Sequence, residues 1–405
     1  CPLRADVTAP SLSLDDAHVT GGAGATTSIG VLMSTGSVVD ATSSTITGGD
    51  GGSATGMSAD DTFVTLDAAT VVTGASADAT SGTALAFSGA ARSAIVHATL
   101  LAGAAGAVLD AATALAAVNA QVTLLGASLD AEGSQATGLA LDGGALVVNG
   151  AVVTAGISGV ALSGTVEAQL VDAAVTAPTG ITSLDDATLE LDGTTVTSTT
   201  IAVDAPASSV SLSRAVVTAS GAGTMNGITA LTLDASDSTI TVGGNDVVVV
   251  TAGDTLLSRS TLRATAAGGT CTVVDAGADA LTVQSSFLTS SGGADGCTAI
   301  DAGGVVTLRH ATIVTDQAAI TLESGGALDA ANSVLDGTTA IVAAKGAPWT
   351  RASALAFQTG TTFVDANGTT ATTDDDLLNL GCGSCLIVDI PMLVDDTRHL
   401  TAASP

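Results

Sequence analysis

Short runs of three to five residues in which aliphatic and polar side chains alternate recur along almost the whole chain, always in the same order. The clearest has the form L-x-L-x-x-[AST]-x-V-T: LVVNGAVVT ending at Thr154, LELDGTTVT at Thr197, VSLSRAVVT at Thr218 and LTLDASDSTIT at Thr241. The aliphatic residue of the V-T pair, or its equivalent, falls at Val19, Ile46, Val72, Leu100, Leu129, Val153, Val175, Val196, Val217, Ile240, Leu262, Leu288, Ile313 and Val334, at intervals of 21 to 29 residues. Each is followed by small residues and then a short apolar stretch such as GLAL at Gly138, GVAL at Gly159, GITAL at Gly227 or AITL at Ala319. Alternation with period two, carried by β-branched Val and Thr, predicts strands.

Each unit therefore holds two or three short strands separated by Gly, Ser, Asp and Ala turns. No stretch carries an apolar stripe at helical spacing, which excludes a helical solenoid. A propeller blade needs roughly 40 residues, whereas one turn of a parallel β-helix needs about 20 to 30. The spacing predicts an all-β parallel β-helix of about 14 coils over residues 1–358. Stacked at about 4.8 Å per coil, they would span roughly 65 to 70 Å. The repeat fades after Phe357, and residues 359–405, which bring Pro391 and two cysteines, are expected to form an irregular C-terminal cap or tail. The apolar segment from Ala98 to Val118 carries Asp110 near its middle and keeps step with the repeat, so it reads as solenoid rather than as a membrane span.

Composition changes this picture in two ways. Hydrophobic residues make up 46% of the 405 residues but aromatic ones only 1%, so the core must be thin layers of Val, Leu, Ile and Ala shared between neighbouring coils. Nine Lys and Arg stand against 39 Asp and Glu, a net charge of -30. Such a field repels nucleic acid and anionic lipid surfaces, which excludes nucleic-acid binding and leaves a covalent lipid as the only route to a membrane.

The G-I-x-L and V-T segments, over about residues 10 to 358, resemble those of the right-handed β-helix surface proteins of the pectin-lyase-like superfamily, of non-catalytic bacterial type. FVDANG from Phe363 and LVDDTRHLTAASP from Leu393 are similar to the closing segment of many secreted bacterial β-helix proteins. The resemblance implies a right-handed single-chain solenoid, and, because that segment usually runs on past Ser-Pro, a chain processed or truncated at Pro405.

The cysteines are Cys1, Cys271, Cys297, Cys382 and Cys385. CTVVDAG at Cys271 and CTAIDAG at Cys297 lie one coil apart, which sets the two residues about 4.8 Å from each other, within disulfide range. A bridge is expected; a stacked pair of buried thiols is the alternative. Cys382 and Cys385 in G-C-G-S-C lack a second ligand pair for zinc and read as a local disulfide. Cys1 is left over. It resembles the acylated first residue of a mature bacterial lipoprotein, with an arbitrary chain boundary as the other reading.

Catalytic chemistry is scarce. Cleaving a polysaccharide takes converging carboxylates, a cation for an anionic sugar and aromatic rings for stacking. Trp349 is the sole Trp and there is no Tyr. The acidic pairs Asp15-Asp16, Asp60-Asp61, Asp185-Asp186 and Asp395-Asp396 read as turn residues. His97 and His310 share a repeat phase but should lie roughly 40 Å apart, and His18 and His399 sit near opposite ends of the chain. Arg214, Arg259 and Arg309, each before a V-T strand, are expected to pair with turn carboxylates. Aliphatic-Asp dipeptides recur at Asp15, Asp67, Asp142, Asp192, Asp204, Asp234, Asp275 and Asp301. Where they fall in register the carboxylates stack. Solvated turn residues are the simpler reading, with Ca²⁺ as the one ion such stacks could take. No catalytic residue and no organic cofactor is expected.

These features point to an extracellular or bacterial cell-surface protein, structural or adhesive, with Cys1 as a candidate lipid anchor in the outer membrane. Its partners would be a surface glycan or protein. A self-assembling filament, through end-to-end association of uncapped coils, is the alternative; a polysaccharide lyase or glycoside hydrolase rests on fold analogy alone.

Overall fold

The computed structural model describes residues 11–343 apart from 24–25, 35, 77–78, 90–92, 104–108 and 295, and elsewhere only the backbone of short strands within 3–4 and 349–400. It is all-β, without helix among the described residues, and forms a parallel β-solenoid of about 13 turns. Two compact units divide the chain, Cys1–Ser209 and Val210–Pro405. Both follow one internal plan: each coil has a leading strand, a middle strand and a V-T strand, the leading strand carrying a small residue, often Gly or Ala, ahead of a buried aliphatic one. The coil at Ser158–Val171 runs its first two strands together and closes with Ala174–Thr176.

Register follows the repeat. In the first unit Val19, Ile46, Val72, Leu100, Leu129, Val153, Val175 and Val196 stack in one parallel column. In the second, Val217, Ile240, Leu262, Leu288 and Ile313 do the same. The last position differs by one residue: Ile313 pairs with Leu335, and Val334 faces Thr312. The corner residue of that coil is Asn332, so Val334 falls at the x of x-V-T. Both Val334 and Leu335 are buried, which is why composition alone does not fix the register.

Alternation decides what is buried. Leu189 and Leu191 are wholly buried while Thr188 and Glu190 between them are exposed. The glycine of the leading motif has a separate cause. A Cβ at Gly138 would lie 2.3 Å from Val153 Cγ1, at Gly159 2.3 Å from Val175 Cγ1, and at Gly180 2.5 Å from Val196 Cγ1. The leading strand thus passes over the V-T valine of its own coil so closely that no side chain fits. The two halves of the repeat are sterically matched across the core.

The corner between middle and V-T strand is built from two residues, a left-handed one followed by a small one. Asp16, Ser43, Asp172, Arg214, Asp237, Arg259, Ser285, His310 and Asn332 have φ between 46° and 55° there, with glycine at Gly126, Gly150 and Gly193. None is β-branched, as that conformation requires. The second corner residue is Ala, Ser or Thr, buried in every described coil but the first, and where it is Ser or Thr its hydroxyl replaces a missing ladder bond. Ser260 Oγ accepts from Ser238 N at 3.2 Å and donates to Ser258 O at 2.9 Å; Ser286 Oγ accepts from Ser260 N at 3.1 Å and donates to Gln284 O at 2.8 Å. Buried amides at a bend are thereby satisfied. Two coils depart: one has Asp67 to Thr70 between its strands, with Thr70 N donating to Asp67 O at 3.2 Å, and another opens its corner with His97, which is not left-handed.

No helix is long and apolar enough to cross a membrane among the described residues. Within 98–118, Thr99–Gly103 is a V-T strand and Ala111 begins the next leading strand. Towards the C-terminus, Cys385–Val388 pairs in parallel with Leu355–Gln358, extending that column beyond residue 358. Phe363–Val364 then pairs antiparallel with Thr370–Ala371, and Leu393–Val394 with His399–Leu400.

Candidate functional site

Three features could carry function: a groove on the first unit, an acidic ladder on the second, and a covalent join between two coils of the second. The groove lies on the outer face of the leading strands. One column there stacks Thr113, Thr137, Ser158 and Thr179, and the next stacks Ala116, Ala140, Ala161 and Thr182. At the edge Val118, Asp142 and Ser163 follow one another. Leu184 comes after them, its amide donating to Leu162 O at 3.2 Å. Over the alanine column runs a groove of about 230 Å³, with methyl groups for its floor and Val118, Asp142 and Leu184 along its edge. Leu184 is 79% exposed, more than any other large aliphatic side chain among the described residues. The sequence holds both signals: Ala at the outward place of G-x-A-L, and Leu where ITSLDD should show a polar residue. Neither is legible until the columns are aligned.

The aliphatic-Asp dipeptides mostly do not stack. Asp142 faces Ser163, Asp192 faces Val171, Asp204 faces Thr182 and Asp234 faces Leu256. Interleaving carboxylates with neutral side chains keeps like charges apart along each column. Asp275 and Asp301, by contrast, are directly opposed. Burial first, and then the charges of Glu323 and Asp275, raise the pKa of Asp301 above the usual carboxylate value. Its Oδ1 is buried without a hydrogen-bond partner. Asp130, in the first unit, is raised in the same way by burial and by Glu132. Among the described residues no three His, Cys, Asp or Glu side chains converge closely enough to hold a metal ion.

Arg259 and Arg309 meet carboxylates. Arg259 forms a two-pronged pair with Asp237, Nε to Oδ1 at 2.7 Å and Nη2 to Oδ2 at 2.6 Å. Both are corner residues of successive coils, so opposite charges meet along the left-handed column at this point. The pairing holds Asp237 below its ordinary pKa and Arg259 above its own. Arg309 ends a middle strand, and Nη2 reaches Asp329 Oδ2 at 2.7 Å within the next middle strand rather than at a turn. His97 and His310 each fill the first corner position of a coil, one in each unit, and His18 opens a V-T strand opposite Thr45.

Cys271 and Cys297 are register partners, both buried, with Cα atoms 4.5 Å apart, and a disulfide joins them. Cys1, Cys382 and the side chains of Cys385, Trp349 and His399 lie outside the described residues.

No family model matches the chain, and no curated protein does. Among solved structures, a crystal structure of Dettilon tailspike protein aligns with 82% of this chain at 12% identity and a TM-score of 0.32. This chain spans 62% of that protein's length.

Proposed function

We propose that the chain is an extracellular or cell-surface β-solenoid with a structural and adhesive role. The join between Cys271 and Cys297 carries this reading, because buried disulfides of this kind form and persist in oxidising compartments and are rare in the cytosol. The outer faces support it. They present long columns of Thr, Ser, Ala and Asp, a repetitive surface suited to holding a glycan or protein. Peptide mapping without reduction, on material isolated from the native source, tests the reading. It is expected to recover the Cys271–Cys297 peptide pair from a surface-labelled fraction. Two free thiols in protein confined to the cytoplasm would overturn it.

A second reading, glycan cleavage, is favoured by one observation. Asp301, raised in pKa beside Asp275 and Glu323, is a carboxyl of the sort that can hold a proton for acid catalysis. Turnover of pectin or alginate that Asp301→Asn abolishes would put this reading in place of the first.

A further inference from the structure

The groove over Ala116, Ala140 and Ala161 is apolar, and carboxylates stand at its border. Asp142 stands on its edge, and Asp185 and Asp186 follow Leu184 directly, all three exposed. Asp185 Oδ2 accepts from Gly164 N at 2.7 Å, which fixes its carboxylate beside the groove. From Cys1 to Ser209 the only Lys or Arg residues are Arg4 and Arg92, in a chain of net charge -30. A ligand for this place must offer aliphatic groups to the methyl floor and to Leu184, and positive charge to the rim.

We infer that the groove docks an extended polypeptide segment in which aliphatic side chains alternate with lysine or arginine. An extended segment places successive side chains on opposite faces, so its aliphatic side chains can enter the groove while cationic ones reach the rim. A glycan fits less well, since its hydroxyls would meet methyl groups and no aromatic ring lines the groove. A second copy of the chain would bring like charge against like. The inference goes beyond the surface role and does not depend on where the chain is displayed.

The test is fluorescence anisotropy on the whole chain at about 0.15 M salt, where exposed charges are screened beyond roughly 8 Å. The probe is a labelled ten-residue peptide alternating lysine with leucine or valine, compared with one carrying serine at the aliphatic places. The aliphatic peptide should bind about tenfold or more tightly than the serine peptide. Leu184→Ser should weaken it several-fold, and Leu231→Ser, at another exposed leucine in the other unit, should not. Ala140→Glu separates the two causes: it adds negative charge while filling the groove. Weaker binding by Ala140→Glu supports docking. Stronger binding, equal affinity for the two peptides, or displacement of the probe by a neutral oligosaccharide would overturn the proposal. Leu184 is solvent-exposed, so its replacement leaves the fold intact and the comparison interpretable.

Discussion

Gly159→Ala adds one methyl group at the place where leading and V-T strands lie closest. The new Cβ would sit 2.3 Å from Val175 Cγ1, 2.6 Å from Gly180 O and 3.6 Å from Ala177 Cβ. Ordinary contact between carbons is about 3.5 to 4.0 Å. The coil must therefore open by more than about 1 Å, or Val175, stiff at its branched Cβ, must turn away. Overpacking of this kind costs about 1 to 3 kcal/mol, offset by about 0.4 to 1 kcal/mol because alanine restricts the unfolded chain. A net loss of about 1 to 2 kcal/mol is expected. Gly223→Ala is the control: nothing lies within 4 Å of its Cβ, and its φ is outside the left-handed region. That variant should be neutral or gain up to about 1 kcal/mol. Val175→Ala alone should cost about 1.5 to 3 kcal/mol, but less in the Gly159→Ala background, with a coupling of about 0.5 to 2 kcal/mol. Urea unfolding followed by far-UV circular dichroism reads all four, with the slope checked so that a midpoint shift reports stability. Equal midpoints for Gly159→Ala and Gly223→Ala, or strict additivity with Val175→Ala, would refute the steric match. Ala114 and Ala202 in the first unit and Ala299 and Ala319 in the second stand at the corresponding place, so other coils admit a methyl there.

Two further outcomes follow from the corners and the acidic ladder. Ser260→Ala removes the acceptor of Ser238 N and should cost about 1 to 2 kcal/mol, while Ser260→Thr, the choice made at Thr194, should cost much less; urea midpoints decide between them. Asp301 has a folded pKa raised above its unfolded one, so the folded state keeps its proton longer and stability should fall as pH rises from about 3.9 through the raised value. Asp301→Asn should therefore raise the thermal midpoint at pH 7, the gain vanishing below about pH 3.9; a gain of equal size at both pH values would show that its charge is not the cause.

The V-T column was legible because period-two alternation and a spacing of 21 to 29 residues leave one architecture able to bury the aliphatic positions. Cys271 and Cys297 could be placed opposite each other because their flanking residues repeat almost unchanged. Val334 was misplaced by one because two adjacent aliphatic residues satisfy the pattern equally, and only the corner at Asn332 breaks the tie. The aliphatic-Asp dipeptides seldom fall in register because they belong to different strands and phases: Asp192 and Asp234 lie in middle strands and Asp142 and Asp204 at different places of leading strands, whereas Asp275 and Asp301 share one place in adjacent coils. The groove was hidden for another reason. Alanine is compatible with inside and outside alike, so Ala140 and Ala161 carry no directional information until backbone pairing supplies it.

The nearly constant length of the corner bears on how such a chain can change over generations. With one departure, two residues separate middle from V-T strand in every described coil, so a deletion or insertion there would turn each following inward side chain outward. The span from V-T strand to the next leading strand is free of that rule, running from the single residue Asn245 to the seven residues 104–110. Lengthening a flexible loop costs only about 0.6 kcal/mol per doubling. Novelty can accumulate along that border while the rest of each coil is held to its phase, and a foreign segment grafted between Ser198 and Ile201 would inherit a scaffold that does not need to change.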